Sequence, residues 1–245
     1  MAIASRPFAL VFRLVAVVLI VTGLARLIGF FGPGPGPSWS TLVFYTTQSN
    51  VLCLIWMITM TVVTVRAMAR GATGGAGADQ RPNSVPRPSL VPWPRLGAMV
   101  MMAITVTMLI YLVVLAPTFY VQGDSGYKPF TLTDDLIHIV TPCLTIADWF
   151  LFAPKGRLRL WDPVLWAIPP YTYLLFTVVW PALGGDFGDG RRYPYPFLDV
   201  QELGLGRVLL GLLVMTVALV AFGYLFVAAD KLAGRAARKR AASRA

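Results

Sequence analysis

The run STLVFYTTQSNVLCLIWMITMTVV, residues 40–63, is long enough to cross a bilayer, yet it carries five consecutive polar side chains at positions 46–50. A membrane-crossing helix needs about 20 mostly apolar residues. A side that faces lipid has no use for hydroxyls and amides, whereas a side packed against other helices does. The polar block therefore predicts a helix face turned into a bundle. The rest of the chain fits that frame. Of 245 residues, 57% are hydrophobic and 13% charged, and the mean hydropathy is +0.68. This composition reads as an integral membrane protein, with no soluble domain alongside. An open sheet cannot satisfy its backbone in lipid. The expected fold is thus all-α, one bundle of six transmembrane helices with spans at about residues 8–31, 41–65, 96–118, 134–153, 163–183 and 204–229. The first run is read as an uncleaved span, because GPGPGPSW follows it where a signal peptide has a small-residue cleavage site.

The net charge is +10. Its placement argues against nucleic acid, because the basic residues gather at the ends of the apolar runs, which is a topology signal. Fifteen of the 21 lie at the N-terminus, in the loops after spans two and four, and in the C-terminal tail; Lys128, Arg191, Arg192 and Arg207 lie on the opposite side. Both termini are therefore expected in the cytoplasm, with the protein multi-pass in the inner or plasma membrane. Residues 67–94, rich in Gly, Ala and Pro, read as a flexible cytoplasmic linker. Residues 231–245 read as a basic tail drawn to anionic lipid. Cys53 and Cys143 fall within spans, and neither a metal-ligand spacing nor a nucleotide-binding loop occurs, so no metal or cofactor is expected.

Thr46 and Asn50 are four apart and share a helix face. His138, the one histidine, falls at a similar depth in the outer half of the bilayer. A hydroxyl is a weak nucleophile until a base removes its proton, and an imidazole is that base. The same residues can equally be structural, with Thr bonding its own i−4 carbonyl and Asn and His bonding between helices. Arg13 and Asp148 match in depth near the cytoplasmic side and are expected to form a structural ion pair. Arg26 and Arg191, toward the outer side, could hold a substrate carboxylate or reach for the interface. Pro142, Pro169 and Pro170 are expected to kink their helices.

FYTTQSN, the SW at Ser38–Trp39, HIVTP at 138–142 with the following DW, and the outer-loop YPYPFLDV at 193–200 together resemble the androgen-induced-gene and androgen-dependent TFPI-regulating protein family. The chain looks like a bacterial, actinobacterial-type member of that six-helix membrane family, and the resemblance runs from span one to span six. It implies hydrolysis of fatty-acid esters of hydroxy fatty acids, with Thr46 as the nucleophile and His138 as its partner. Thr47, next to it, is the other candidate for the family threonine. Ser49 stands where the animal pattern has an acidic residue, and with Asn50 it is a candidate for orienting substrate. Three functional classes stay open: a lipid-ester hydrolase, a small-solute or proton-linked transporter using the polar seam His138, Thr141, Thr145 and Asp148, and a non-catalytic scaffold. The partners expected are a fatty-acyl ester and membrane lipid.

Overall fold

The computed structural model describes residues 5–31, 36–73, 90–117, 129–188 and 190–243. Six helices are long and apolar enough to cross a membrane: α1 (Arg6–Ile28), α2 (Tyr45–Thr73), α3 (Pro94–Leu115), α4 (Leu132–Phe152), α5 (Asp162–Ala182) and α6 (Leu205–Ala242). The described residues contain no strand. The chain is an all-α, multi-pass membrane protein.

Several ends differ from the sequence reading, each for a local reason. α1 stops at Ile28 because Gly29 takes a left-handed backbone (φ 98°) and returns its N–H to Ala25 and Arg26. α2 keeps going through 67–73, which were expected to belong to the linker; of the rest of that linker, 74–89 lie outside the described residues, as does Lys128, while Leu90 and Val91 are buried and Pro94 already opens α3. The tail expected from 231 is helical as far as Ala242, within a 38-residue α6. Its Ala, Lys and Arg are strong helix formers. At about 1.5 Å per residue α6 is far longer than the roughly 30 Å hydrocarbon core, so an end must project from it. Pro169 and Pro170 open the first turn of the segment Ile168–Ala182, where a missing N–H costs nothing; the interruption of α5 falls just before them, after Leu165.

In lipid, helices are held by close packing and hydrogen bonds rather than by water exclusion. α3 is the most enclosed, packed by α2, α4 and α5. Glycines allow two of the closest approaches. A methyl on Gly97 would sit 2.5 Å from the Trp56 ring, and one on Gly23 3.1 Å from Leu136. The second of these lets α4 lie against α1.

Bonds at one end of the bundle fix which helix ends lie together. Arg6 donates to the Ala67 carbonyl, Arg95 Nε to Asp162 Oδ1 (3.0 Å), and the Leu158 amide to Asp230 Oδ2 (2.9 Å). The start of α1, the end of α2, the starts of α3 and α5 and the C-terminal half of α6 thus share one end. α6 packs mainly through two places: its C-terminal half meets residues Asp162–Leu165, and its start meets Pro196–Leu198 and Val200–Leu203. Between these it touches α3 and α5 at few places, Thr216 bonding the Tyr171 hydroxyl (2.8 Å) and Leu219 packing near Val106 and Tyr173.

Lys155 sits at the shared end, outside the spans. Its Nζ donates to the Trp149 carbonyl (2.5 Å) and lies 3.5 Å from the centroid of that indole. Burial lowers its pKa from 10.5 to about 8, against the pull of Asp230 and Asp148. The folded state therefore holds this proton less tightly than the unfolded chain. Stability should be flat below pH 8 and rise between about 8 and 10.5. Melting temperatures in detergent across that window should climb, and Lys155→Met should remove Lys155's part of the slope; an unchanged slope would argue against the assignment.

Candidate functional site

The polar block resolves into distinct duties. Phe44 is extended and ends a turn of 3-10 helix, Trp39–Val43, so α2 begins only at Tyr45. Thr46 thus lies in the first turn of α2, not six residues inside it as expected. The Thr47 hydroxyl donates to the Thr41 carbonyl (2.6 Å) and Gln48 Nε2 to the Leu42 carbonyl (3.2 Å), pinning that turn to the helix. Ser49 Oγ bonds the Thr46 carbonyl (3.0 Å) and Thr107 Oγ1 on α3 (2.8 Å). Asn50 Nδ2 donates to the Thr46 carbonyl (2.8 Å) and to the Ile137 carbonyl on α4 (3.0 Å). Both amide protons of Asn50 are therefore spent on carbonyls, which removes it as an oxyanion donor. Ser49 and Asn50 tie three helices together and fix the Thr46 backbone.

α4 brings the histidine. Thr131 and Asp134 form a reciprocal cap at its start. Residues Asp135–Val140 then widen into a π-helical turn, and Thr141 Oγ1 donates to the Leu136 carbonyl five residues back (2.9 Å). Pro142 explains the widening: it has no N–H to give and its ring collides with a tight preceding turn. A second π-helical turn, Tyr111–Leu115, closes α3. The Tyr111 ring from that turn stacks on His138, centroids 4.0 Å apart and planes within 6°. Two rare wide turns thus meet at one imidazole and lock its plane.

In that plane, His138 Nε2 lies 3.5 Å from Thr46 Oγ1. On the other edge, Nδ1 is buried without a hydrogen-bond partner and faces Asp134 Oδ1 at 3.8 Å. The other Asp134 oxygen accepts from Thr131 Oγ1 (2.7 Å). Asp134, His138 and Thr46 lie in the order carboxylate, imidazole, hydroxyl. Asp134 was not among the candidates read from the sequence. Its i,i+4 spacing to His138 was the available signal. Thr47, with its hydroxyl bonded to Thr41, is not the residue at the histidine.

Thr46 also lines a cavity of about 350 Å³ enclosed by the start of α2, α3, α5, the outer loop and α6. It does not lie between α2 and α4, and His138, Asn50, Ser49, Arg26 and Arg191 do not line it. His138 stands behind Thr46. The cavity lies where α6 packs only sparsely on α3 and α5 along its middle, bridged by the Tyr171–Thr216 hydroxyl pair. Its walls are mostly aliphatic and aromatic, with the hydroxyls of Thr46, Thr107, Tyr173 and Tyr195 toward the start of α2 and no charged side chain among the described residues. Val113 (70% exposed) and Tyr171 (48%) stand at its mouth on the lipid-facing surface. Arg26 donates instead to Thr133 Oγ1 (3.2 Å), and exposed Arg191 to the Gly188 carbonyl (3.1 Å). Neither meets the cavity, so neither serves as its carboxylate holder here.

Tyr195, from the outer loop, was not a candidate in the sequence reading beyond its place in YPYPFLDV. Its hydroxyl faces the Thr46 hydroxyl, the Tyr45 and Thr46 amides, and Tyr173. The residue is half-buried, and that burial raises its pKa and keeps the phenol protonated.

The polar descent of α4 does not open a path. Thr145 donates to the Thr141 carbonyl (2.9 Å). Asp148 meets Arg13, Oδ1 to Nε at 2.7 Å, with the side chains 3% and 0% exposed. The expected ion pair is present.

No protein-family profile matches the chain, and no solved structure matches it. UPF0641 membrane protein YHR140W of Saccharomyces cerevisiae is 31% identical over 86 residues. That match covers 32% of this chain and 33% of the yeast protein, about a third of its length. That relative is named as a membrane protein, in keeping with the six apolar helices found here.

Proposed function

We propose that the protein is an intramembrane hydrolase of lipid esters, with Thr46 as nucleophile. One observation carries the reading: a threonine hydroxyl placed 3.5 Å from a buried imidazole nitrogen also lines an apolar cavity open at the lipid-facing surface. The resemblance to the androgen-induced-gene family selects the same two side chains. A transporter would need the polar residues of α4 to face an open path, and they are bonded inward instead.

The chemistry balances with this chain's own groups. His138 carries its proton on Nδ1, toward Asp134, and offers Nε2 to Thr46. As Oγ1 adds to the ester carbonyl carbon, Nε2 takes its proton, and the carbonyl oxygen becomes an oxyanion. Collapse breaks the bond to the alkoxy oxygen, which leaves as the alcohol with the proton returned from Nε2. Water, deprotonated by the same nitrogen, then adds to the acyl-threonine and releases the fatty acid and the threonine hydroxyl. Asp134 holds the tautomer and steadies the imidazolium. The base must be neutral, so the rate should rise with pH as His138 loses its proton. Asp134→Asn should lower turnover by roughly tenfold or more, since the tautomer is no longer fixed. A rate equal to wild type would remove Asp134 from the mechanism.

The direct test is labelling of purified, nanodisc-embedded protein with an alkyl fluorophosphonate, followed by peptide mass analysis. The adduct is expected on Thr46. Labelling of Thr47 or of no residue, together with no turnover of long-chain esters, would defeat the reading. The basic-residue asymmetry further supports a cytoplasmic position for the shared end of the helices, with the site toward the outer leaflet of the plasma membrane. A reporter fused after Ala245 should be active only in the cytoplasm.

A further inference from the structure

Tyr173 of α5 lines the cavity and is 5% exposed, and its Oη has no hydrogen-bond partner. A buried tyrosine hydroxyl normally finds one. The polar groups nearest it are the Tyr195 phenol and the Tyr45 amide. The acceptor this hydroxyl lacks within the protein can come from the cavity that its residue lines.

Tyr195 is the second hydroxyl of the pair. Its ring is fixed by parallel stacking on Phe197 (5.3 Å, 3°) and by an edge contact with Phe44 (6.2 Å). The Thr46 hydroxyl and the first amides of α2 face its oxygen. The Thr46 proton is turned to His138, and the phenol carries one O–H of its own that can turn to an acceptor in the cavity its residue lines. Both tyrosines line the cavity with the proposed nucleophile, and none of its described wall residues is cationic or acidic. A carboxylate brought there would give up its hydration for no opposite charge. An uncharged carbonyl oxygen asks only for donors, and two are present. About 350 Å³ is near the lower end of small-molecule sites and suits one chain.

We propose that Tyr173 and Tyr195 form a donor pair that binds the uncharged carbonyl oxygen of a single-chain acyl ligand lying in this cavity. Its catalytic meaning rests on the hydrolase reading: when Thr46 adds to that carbonyl, the same oxygen becomes an anion, and bonds from two fixed donors strengthen. The binding itself does not depend on turnover.

The probe is radiolabelled 2-heptadecanone, a neutral single-chain ketone that cannot be hydrolysed. Its binding to the full-length protein in phosphatidylcholine nanodiscs is read by scintillation proximity. Wild type and His138→Gln should bind it alike, because His138 does not line the cavity. Tyr173→Phe and Tyr195→Phe should each weaken binding by roughly five- to tenfold, the net worth of one hydrogen bond. Palmitate at pH 8 should compete at least tenfold less well than unlabelled ketone, and Ala218→Leu, at the cavity wall, should reduce ketone binding with both tyrosines intact. Ketone binding unchanged in both Phe variants would overturn the pair, as would palmitate competing as well as the ketone. Loss of ester hydrolysis in Thr46→Ala alongside unchanged binding in the Phe variants would overturn the pair and keep the hydrolase. Weakened binding in the Phe variants of a protein with no hydrolase activity would do the reverse.

Discussion

Thr46→Ala is expected to abolish ester turnover, by roughly 10³-fold or more, while leaving the fold in place. Removing the nucleophile of an acyl-transfer site costs on that order or beyond. The fold should tolerate the change because the structural work at this position is done by the backbone. The Thr46 carbonyl accepts from Ser49 and Asn50 and keeps both bonds in an alanine variant. What is lost is the hydroxyl near His138 Nε2 and the Tyr195 phenol. Thr46→Ser restores a nucleophile and should recover much of the rate. Thr47→Ala should behave oppositely. Its hydroxyl anchors the Trp39–Val43 turn through the Thr41 carbonyl, so the melting temperature should fall by the value of about one hydrogen bond, near 1 kcal/mol, with kcat little changed. Steady-state hydrolysis of a long-chain ester, paired with thermal melts, separates the two threonines. A Thr46→Ala protein that turns over at the wild-type rate would end the threonine mechanism, and a Thr47→Ala protein that is dead but stable would move the nucleophile by one residue.

The six spans were legible because hydropathy and the positions of charged residues act over twenty residues at a time, and small errors at each end cancel. The ends themselves were set by single events: the left-handed Gly29, the extended Phe44, the Ala-rich continuation of α6. Thr46 and His138 could be paired from sequence because both are polar residues at one depth of two adjacent spans. The cavity could not. It arises where α6 packs only sparsely on α3 and α5, and nothing in any one segment encodes a gap between three. Regular helical geometry was likewise the wrong ruler for His138. Its orientation comes from two π-helical turns, one of them preceding Pro142, and the stacking of Tyr111 is a consequence of both. Asn50 shows the converse. Its type and spacing suggested a donor to substrate, and only its two carbonyl partners reveal a strut between α2 and α4.

Removing one member of the Arg13–Asp148 pair should be the most damaging change to stability, at roughly 3–5 kcal/mol, the usual cost of leaving one buried charge alone. Burial is nearly complete on both sides. The two partners are not equivalent. Arg13 Nη1 also donates to Thr64 Oγ1 (2.7 Å), the Met60 carbonyl (3.1 Å) and the Leu90 carbonyl (3.3 Å), and its guanidinium lies 5.1 Å from the Phe152 centroid. One side chain of α1 thereby holds α2, α4 and the segment leading into α3. Arg13→Met breaks all of these but leaves a carboxyl that can take up a proton. Asp148→Leu keeps the three other acceptors but leaves a guanidinium that stays charged at any working pH. Both singles should therefore fall steeply. The double Arg13→Met, Asp148→Leu should be less damaged than the sum of the two, with a coupling of roughly 2–3 kcal/mol, since it buries no charge at all. Chemical-denaturation or thermal midpoints of the four proteins in one detergent give the cycle directly. Additive losses would mean that the two residues stabilise the protein through separate contacts. A strong coupling would identify the pair as the clamp at the shared end of the helices. The site around Thr46 should then keep its ketone affinity in the double variant, because neither Arg13 nor Asp148 lines that cavity.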